Sequence, residues 1–115
     1  MKSLQELSQK AIAFRDARDW KQFHNPKDLA MSLVLEAGEV MEHFQWKNQT
    51  EIDTYLKDHS ADIGEELADV LNLLIIMSSD FSIDILSALE DKMKKNELKY
   101  PISKSKGKNI KYNKL

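Results

Sequence analysis

Two pairs of acidic residues share one spacing, Glu36 with Glu39 and Glu66 with Asp69. On a helical wheel of about 100 degrees per residue, Glu36 falls in the middle of the stripe formed by Leu29, Leu33 and Val40, with Glu39 on its flank. Glu66 falls in the same way among Ile63, Val70, Leu73 and Met77, with Asp69 beside it. Acids three apart on a helix can converge on one object. A carboxylate set among apolar side chains is heavily penalised unless it is paired or metal-bound, and four together also repel one another. Between Leu29 and Phe81 the only lysines are Lys47 and Lys57, at or beyond helix ends, and there is no arginine. The expected counter-charge is therefore a hard divalent cation that takes oxygen ligands, Mg²⁺ or Mn²⁺. One such pair alone would read as a solvated helix face; two, both on apolar stripes, read as a site. Glu42 and Glu65 lie further from the stripes and are expected at the surface or behind the ligands, and His43, one turn after Glu39, is a candidate partner for a ligand.

Helices must position these acids. Only three Gly and two Pro interrupt a chain rich in Leu, Ala, Lys and Glu, which predicts an all-α fold. Ser3 and Glu6 have the spacing of a capping box, opening a first helix that runs to about Arg18. Asp19 to His24 is an aromatic-rich connection, after which Asn25 suits an N-cap and Pro26 the first turn of a second helix reaching about Trp46. Lys47 to Thr50 is a polar break, and Thr50 is the expected cap of a short amphipathic helix through Ile52, Tyr55 and Leu56. The stretch from Ser60 to about Ser79 is apolar on most sides and predicts a helix buried nearly all round. Ser82 is the expected cap of a last helix carrying Ile83, Leu86, Leu89 and Met93 and stopping at Pro101. Four main helices with short links predict a four-helix bundle.

At 115 residues the chain is one domain at most, and so short a chain buries a modest share of its surface, so self-association is the expected completion. The absence of Cys excludes disulfides and thiolate metal sites and suits the cytoplasm. The opening residues lack an apolar signal core, and the run Leu73 to Met77 is far too short to span a bilayer, so no membrane role is expected. All nineteen acids precede Pro101, against twelve of the seventeen basic residues. Residues 101–115 hold five lysines, no acid and little apolar content, and read as a basic, flexible tail on a domain of residues 1–100, with nucleic acid an unlikely partner.

The run from Leu35 to Trp46 (LEAGEVMEHFQW), followed by Glu65 to Leu71 (EELADVL), resembles the paired Glu-x-x-Glu and Glu-x-x-Asp signature of the MazG-like all-α nucleotide pyrophosphohydrolases. Three further segments carry the same resemblance: Phe14 to His24, Asn25 to Leu29, and Lys92 to Asn96 running into Lys99-Tyr100-Pro101. Within the family the chain is most similar in look to the dCTP pyrophosphatases. The resemblance implies that Glu36, Glu39, Glu66 and Asp69 hold Mg²⁺ at the catalytic centre, with Glu39 or Glu42 available as base. It implies that Lys92, Asn96 and Tyr100 contact phosphates, and that Trp20 and Trp46, with His24 nearby, take the base of a nucleoside triphosphate. It implies a homodimer or homotetramer. Leu73 stands where some relatives carry a polar or aromatic residue, which leaves dUTP, phosphoribosyl-ATP and modified nucleotides open beside dCTP.

Other chemistries fit less well. A di-iron carboxylate bundle draws Glu-x-x-His from two helices, whereas Val40 and Leu56 stand three before His43 and His59. Gly38, Gly64 and Gly107 are too scattered for a phosphate-binding loop. A non-enzymatic helical interaction module would present the paired acids as a solvated face and the tryptophans as partner anchors.

Overall fold

Capping side chains set the helix starts along the chain, which a computed structural model describes for residues 3–115. Met1 and Lys2, which begin the stretch read as lacking a signal core, lie outside the described residues. The Ser3 hydroxyl accepts the Glu6 N–H at 3.1 Å and opens helix α1 (Leu4–Ala17). Asn25 accepts the Asp28 N–H at 2.9 Å, Pro26 takes the first helical position, and α2 (Pro26–Glu42) begins where expected. Helix α3 (Gln49–Asp58) is followed by α4 (Ser60–Asp80), α5 (Ile85–Lys99) and the single turn α6 (Ile102–Ser105), with 3₁₀ turns at Lys21–Phe23 and Tyr112–Lys114. The fold is all-α, as the composition predicts, and no described residue lies in a strand.

Several boundaries differ from the sequence expectation, each for a local reason. Helix α2 ends at Glu42 rather than near Trp46, because the chain tightens into turns in which the Phe44 N–H reaches the Met41 carbonyl, and Trp46 takes φ 66°. Asn48, not Thr50, caps α3, forming a reciprocal capping box with Glu51. Ser82 does not cap the last helix: it sits at φ 56°, and Asp84 does so instead by accepting the Ser87 N–H at 3.1 Å. That contact, first of all, holds the Asp84 carboxyl below its ordinary range.

The chain forms two compact units, residues 3–81 and 82–115. In the first, α4 is the central element, and α1, α2 and α3 all pack against it. The core is small: Leu29, Ile63, Ile75 and Ile76 are its buried apolar residues, and Arg15 is buried with them. Arg15 Nη1 meets Asp80 Oδ1 at 2.8 Å and Oδ2 at 2.7 Å, tying α1 to the end of α4. In the second unit, the Tyr112 N–H donates to the Tyr100 hydroxyl at 3.3 Å, and Lys99 places its ammonium 4.7 Å from the Tyr112 ring centre.

The expectation that the fourth helix is buried nearly all round does not hold within the single chain. Leu67, Leu71 and Leu74 form an exposed stripe at spacings of four and three. Helix α2 shows a matching one in Met31, Val34, Leu35 and Met41, with Gly38 inside it. A side chain at Gly38 would meet nothing within 4 Å, so within the first unit no other described helix approaches there. Four buried apolar residues are too few to cover an amphipathic face on each long helix, which is why these stripes remain in water. Among the described residues no single helix is long and apolar enough to cross a membrane.

Candidate active site

The stripes drawn on the wheels are the inward faces of α2 and α4. Leu29 and Ile63 are buried, and Leu33, Val40, Val70, Leu73 and Met77 are partly so, with Glu36 and Glu66 among them. Because α2 packs on α4, the two pairs face one another: Glu36, Glu39, Glu66 and Asp69 each offer one carboxylate oxygen, and the four atoms lie within 4.8 Å of one another. Glu36 Oε2 and Glu66 Oε2 are buried without a hydrogen-bond partner, while Glu39 and Asp69 stand exposed on the flanks.

Electrostatics follow from this crowding. Burial, then the charge of Glu39 and a hydrogen bond with it, and then Asp69, push the Glu36 carboxyl above its ordinary range. Glu66 is raised first by a hydrogen bond with Glu39, then by burial and the charge of Glu39, with His43 pulling in the opposite direction. No Lys or Arg among the described residues is paired with these four acids. Two buried oxygens without a proton donor, in a set made only of carboxylates, form a hard anionic donor set of the kind that suits a divalent cation with oxygen ligands, such as Mg²⁺ or Mn²⁺.

Next to the acids a cavity of about 450 Å³ is lined by Glu39, Glu42, His43, Tyr55 and Glu66. A narrower cavity, about 140 Å³, lies between α1 and α4 and is lined by Phe14, Arg15, Trp20, His24, Asn72 and Leu73 among others. Phe14 meets Trp20 edge-on at 5.8 Å, and His24 Nδ1 is buried with no partner. Trp20 and His24 thus share one cavity. Trp46 does not close the core; it is 91% exposed. In the second unit Lys92 and Asn96 lie four apart on α5, one helical turn, and Tyr100 ends that helix with its N–H on the Asn96 carbonyl at 2.8 Å.

Sequence reasoning left three participants unread. Arg15 has no role in the sequence reading beyond lying in the Phe14–His24 segment, although its spacing of four from the half-buried Ala11 puts it on the inner face of α1. Asn72, beside Leu73, carried no signal until the narrow cavity appeared. Tyr55 was counted as an apolar residue of a short helix, whereas its hydroxyl reaches His43, a contact between elements that no spacing in the sequence signals.

The chain is similar to known proteins over most of its length. A model of the MazG-like family matches residues 31–115. The dCTP pyrophosphatase 1 of Mus musculus is 36% identical over 98% of this chain and 68% of its own length, and that of Homo sapiens is 34% identical with the same coverage. The crystal structure of a pyrophosphatase from Archaeoglobus fulgidus superposes with a TM-score of 0.82 at 37% identity, covering 88% of this chain and 94% of that one. Agreement this long in both sequence and fold exceeds anything that shared helical composition produces, and the chain belongs to the MazG-like family of nucleotide pyrophosphohydrolases.

Proposed function

We propose that the chain hydrolyses a deoxynucleoside triphosphate to the monophosphate and pyrophosphate with Mg²⁺ as cofactor, and that its substrate is dCTP or a non-canonical or modified deoxynucleotide removed as house-cleaning. The observation that carries this reading is the convergence of Glu36, Glu39, Glu66 and Asp69, two of them with buried oxygens that lack a partner. The preference for dCTP is supported by the names of the curated relatives.

The four carboxylates would hold the cation, which when bound neutralises phosphoryl oxygens and orients water for the displacement. The chain's own groups then divide the remaining work. Glu39, exposed beside the buried pair, and Glu42, in the same cavity, are placed to take the proton of the attacking water. Trp20 and Phe14 give the narrow cavity flat apolar walls, and His24 Nδ1 and Asn72 supply hydrogen-bonding groups for the edge of a base. Trp46 offers a second ring, free of core contacts. A polyanion approaching four acids needs cations beyond the metal, and family resemblance assigns that role to Lys92, Asn96 and Tyr100 of the second unit. The exposed stripes on α2 and α4 support a homo-oligomer.

The test is a panel of ribo- and deoxynucleoside triphosphates, dUTP and phosphoribosyl-ATP included, assayed with Mg²⁺ and with EDTA. A Glu36→Gln/Glu66→Gln variant is run in parallel, and monophosphate and pyrophosphate are both measured. Metal-dependent release of both products, strongest with dCTP and lost in the variant, is the expected result. Release of orthophosphate instead, or turnover that survives EDTA, would overturn the reading.

A further inference from the structure

The segment from Asn48 to His59 contributes no acid to the cluster, yet one side chain connects it there. His43, on the turn that ends α2, has its two ring nitrogens directed to two different helices. Nδ1 lies 2.5 Å from the Tyr55 hydroxyl on α3, and Nε2 lies 3.8 Å from Glu66 Oε1 on α4. A carboxylate can only accept, so the ring nitrogen that faces it carries the proton. With a proton on Nε2, Nδ1 is free to accept, and the Tyr55 hydroxyl donates to it in that tautomer.

Tyr55 is itself firmly held. Its ring stacks on His59 with centroids 4.0 Å apart and planes at 12°, meets Phe44 edge-on at 6.4 Å, and lies 4.3 Å from the Lys47 ammonium. Restraint therefore runs from a packed aromatic group through the Tyr55 hydroxyl and the His43 ring to one oxygen of Glu66. At 3.8 Å the last contact is electrostatic rather than a hydrogen bond, and it favours the rotamer in which Oε1 faces the imidazole and Oε2 remains the buried, unpartnered oxygen.

We propose that His43 and Tyr55 are positioning residues that fix the Glu66 carboxylate for cation binding, with α3 as their buttress. This rests on the reading of the four acids as a cation site. Groups that orient metal ligands from behind typically change metal affinity by about 10- to 100-fold when removed.

The test titrates Mn²⁺ alone, by calorimetry, into the wild-type chain and into Tyr55→Phe, His43→Leu and His43→Gln, and records the melting of each in EDTA. Tyr55→Phe removes one oxygen and keeps the stacked ring; His43→Gln restores an N–H toward Glu66. Tyr55→Phe and His43→Leu are expected to weaken Mn²⁺ binding by about 10-fold or more without a matching loss of metal-free melting temperature, and His43→Gln to recover most of the affinity. Unchanged Mn²⁺ affinity in both of the first two variants would overturn the positioning role. So would a weakening that follows the melting temperature and is not recovered by His43→Gln, because that is ordinary structural support. Failure of the wild-type protein to bind Mn²⁺ would overturn the cation site itself, and the inference with it.

Discussion

Arg15 and Asp80 clasp one another across 65 residues of sequence, with both carboxylate oxygens on a single guanidinium nitrogen and side-chain exposures of 3% and 12%. Asp16 takes the other side of the guanidinium at 3.1 Å. A charge this deeply buried is tolerable only while paired, so removing one partner costs more than removing both. Asp80→Asn is expected to destabilise the protein by about 3 kcal/mol, and Arg15→Met combined with Asp80→Leu by clearly less. Urea unfolding of the two variants against wild type checks the order.

The crowded carboxylates make metal-free stability depend on pH. Glu36 and Glu66 are both raised in the folded state, so their contribution is fully present below the ordinary glutamate range of about 4.3. It is lost as pH rises through their folded values. Asp84 has the opposite sign, its stability being present above the ordinary aspartate range and lost only as pH falls through its lowered folded value. In EDTA the melting temperature is therefore expected to fall on going from about pH 5 to about pH 8. Mg²⁺ should reverse the trend, and Glu36→Gln/Glu66→Gln should flatten it; thermal melts across pH, with and without metal, measure all three.

Trp46 occupies a left-handed backbone conformation that a bulky side chain pays for, at φ 66°. Trp46→Gly is expected to leave stability unchanged or raise it by about 1 kcal/mol, while raising KM for the preferred nucleotide about 10-fold through loss of a stacking ring. Parallel melting and steady-state kinetics separate the two effects. A fall in stability with KM unchanged would remove Trp46 from the base site.

The exposed stripes predict self-association that a single charge can oppose. Leu35 is 68% exposed on α2, so Leu35→Glu has no core to disrupt within the chain. Sedimentation is expected to show an oligomer for wild type and a smaller species for the variant. The wild-type melting temperature is expected to rise with protein concentration and that of the variant to be lower and nearly independent of it.

Much of this architecture was legible because local rules govern it. Asn25-Pro26 marked the start of α2, and the 3.6-residue period placed Glu36 and Glu66 on inward faces before any packing was known. What period and caps cannot report is contact across elements. The pairing of Arg15 with Asp80 and of His43 with Tyr55 depends on which helices meet, and neither residue type nor spacing encodes that. The last turn of α2 was misjudged because apolar periodicity continues through Phe44 and Trp46 after the helical hydrogen bonds have given way to turns. The expectation of an all-round buried fourth helix took apolar composition for burial, whereas burial also requires a neighbour, and Leu67, Leu71 and Leu74 stand exposed.

That side has a consequence for the life of each newly made molecule. A chain leaving the ribosome with two long leucine- and methionine-bearing stripes in water is most vulnerable while it is alone, because the surface that would recognise a sister copy also adheres to any other unfinished chain. Yield in the cell then becomes a race between meeting a sister and meeting something else. Conditions that slow synthesis, or that supply a chaperone able to shield α2 and α4, should decide how much folded protein results.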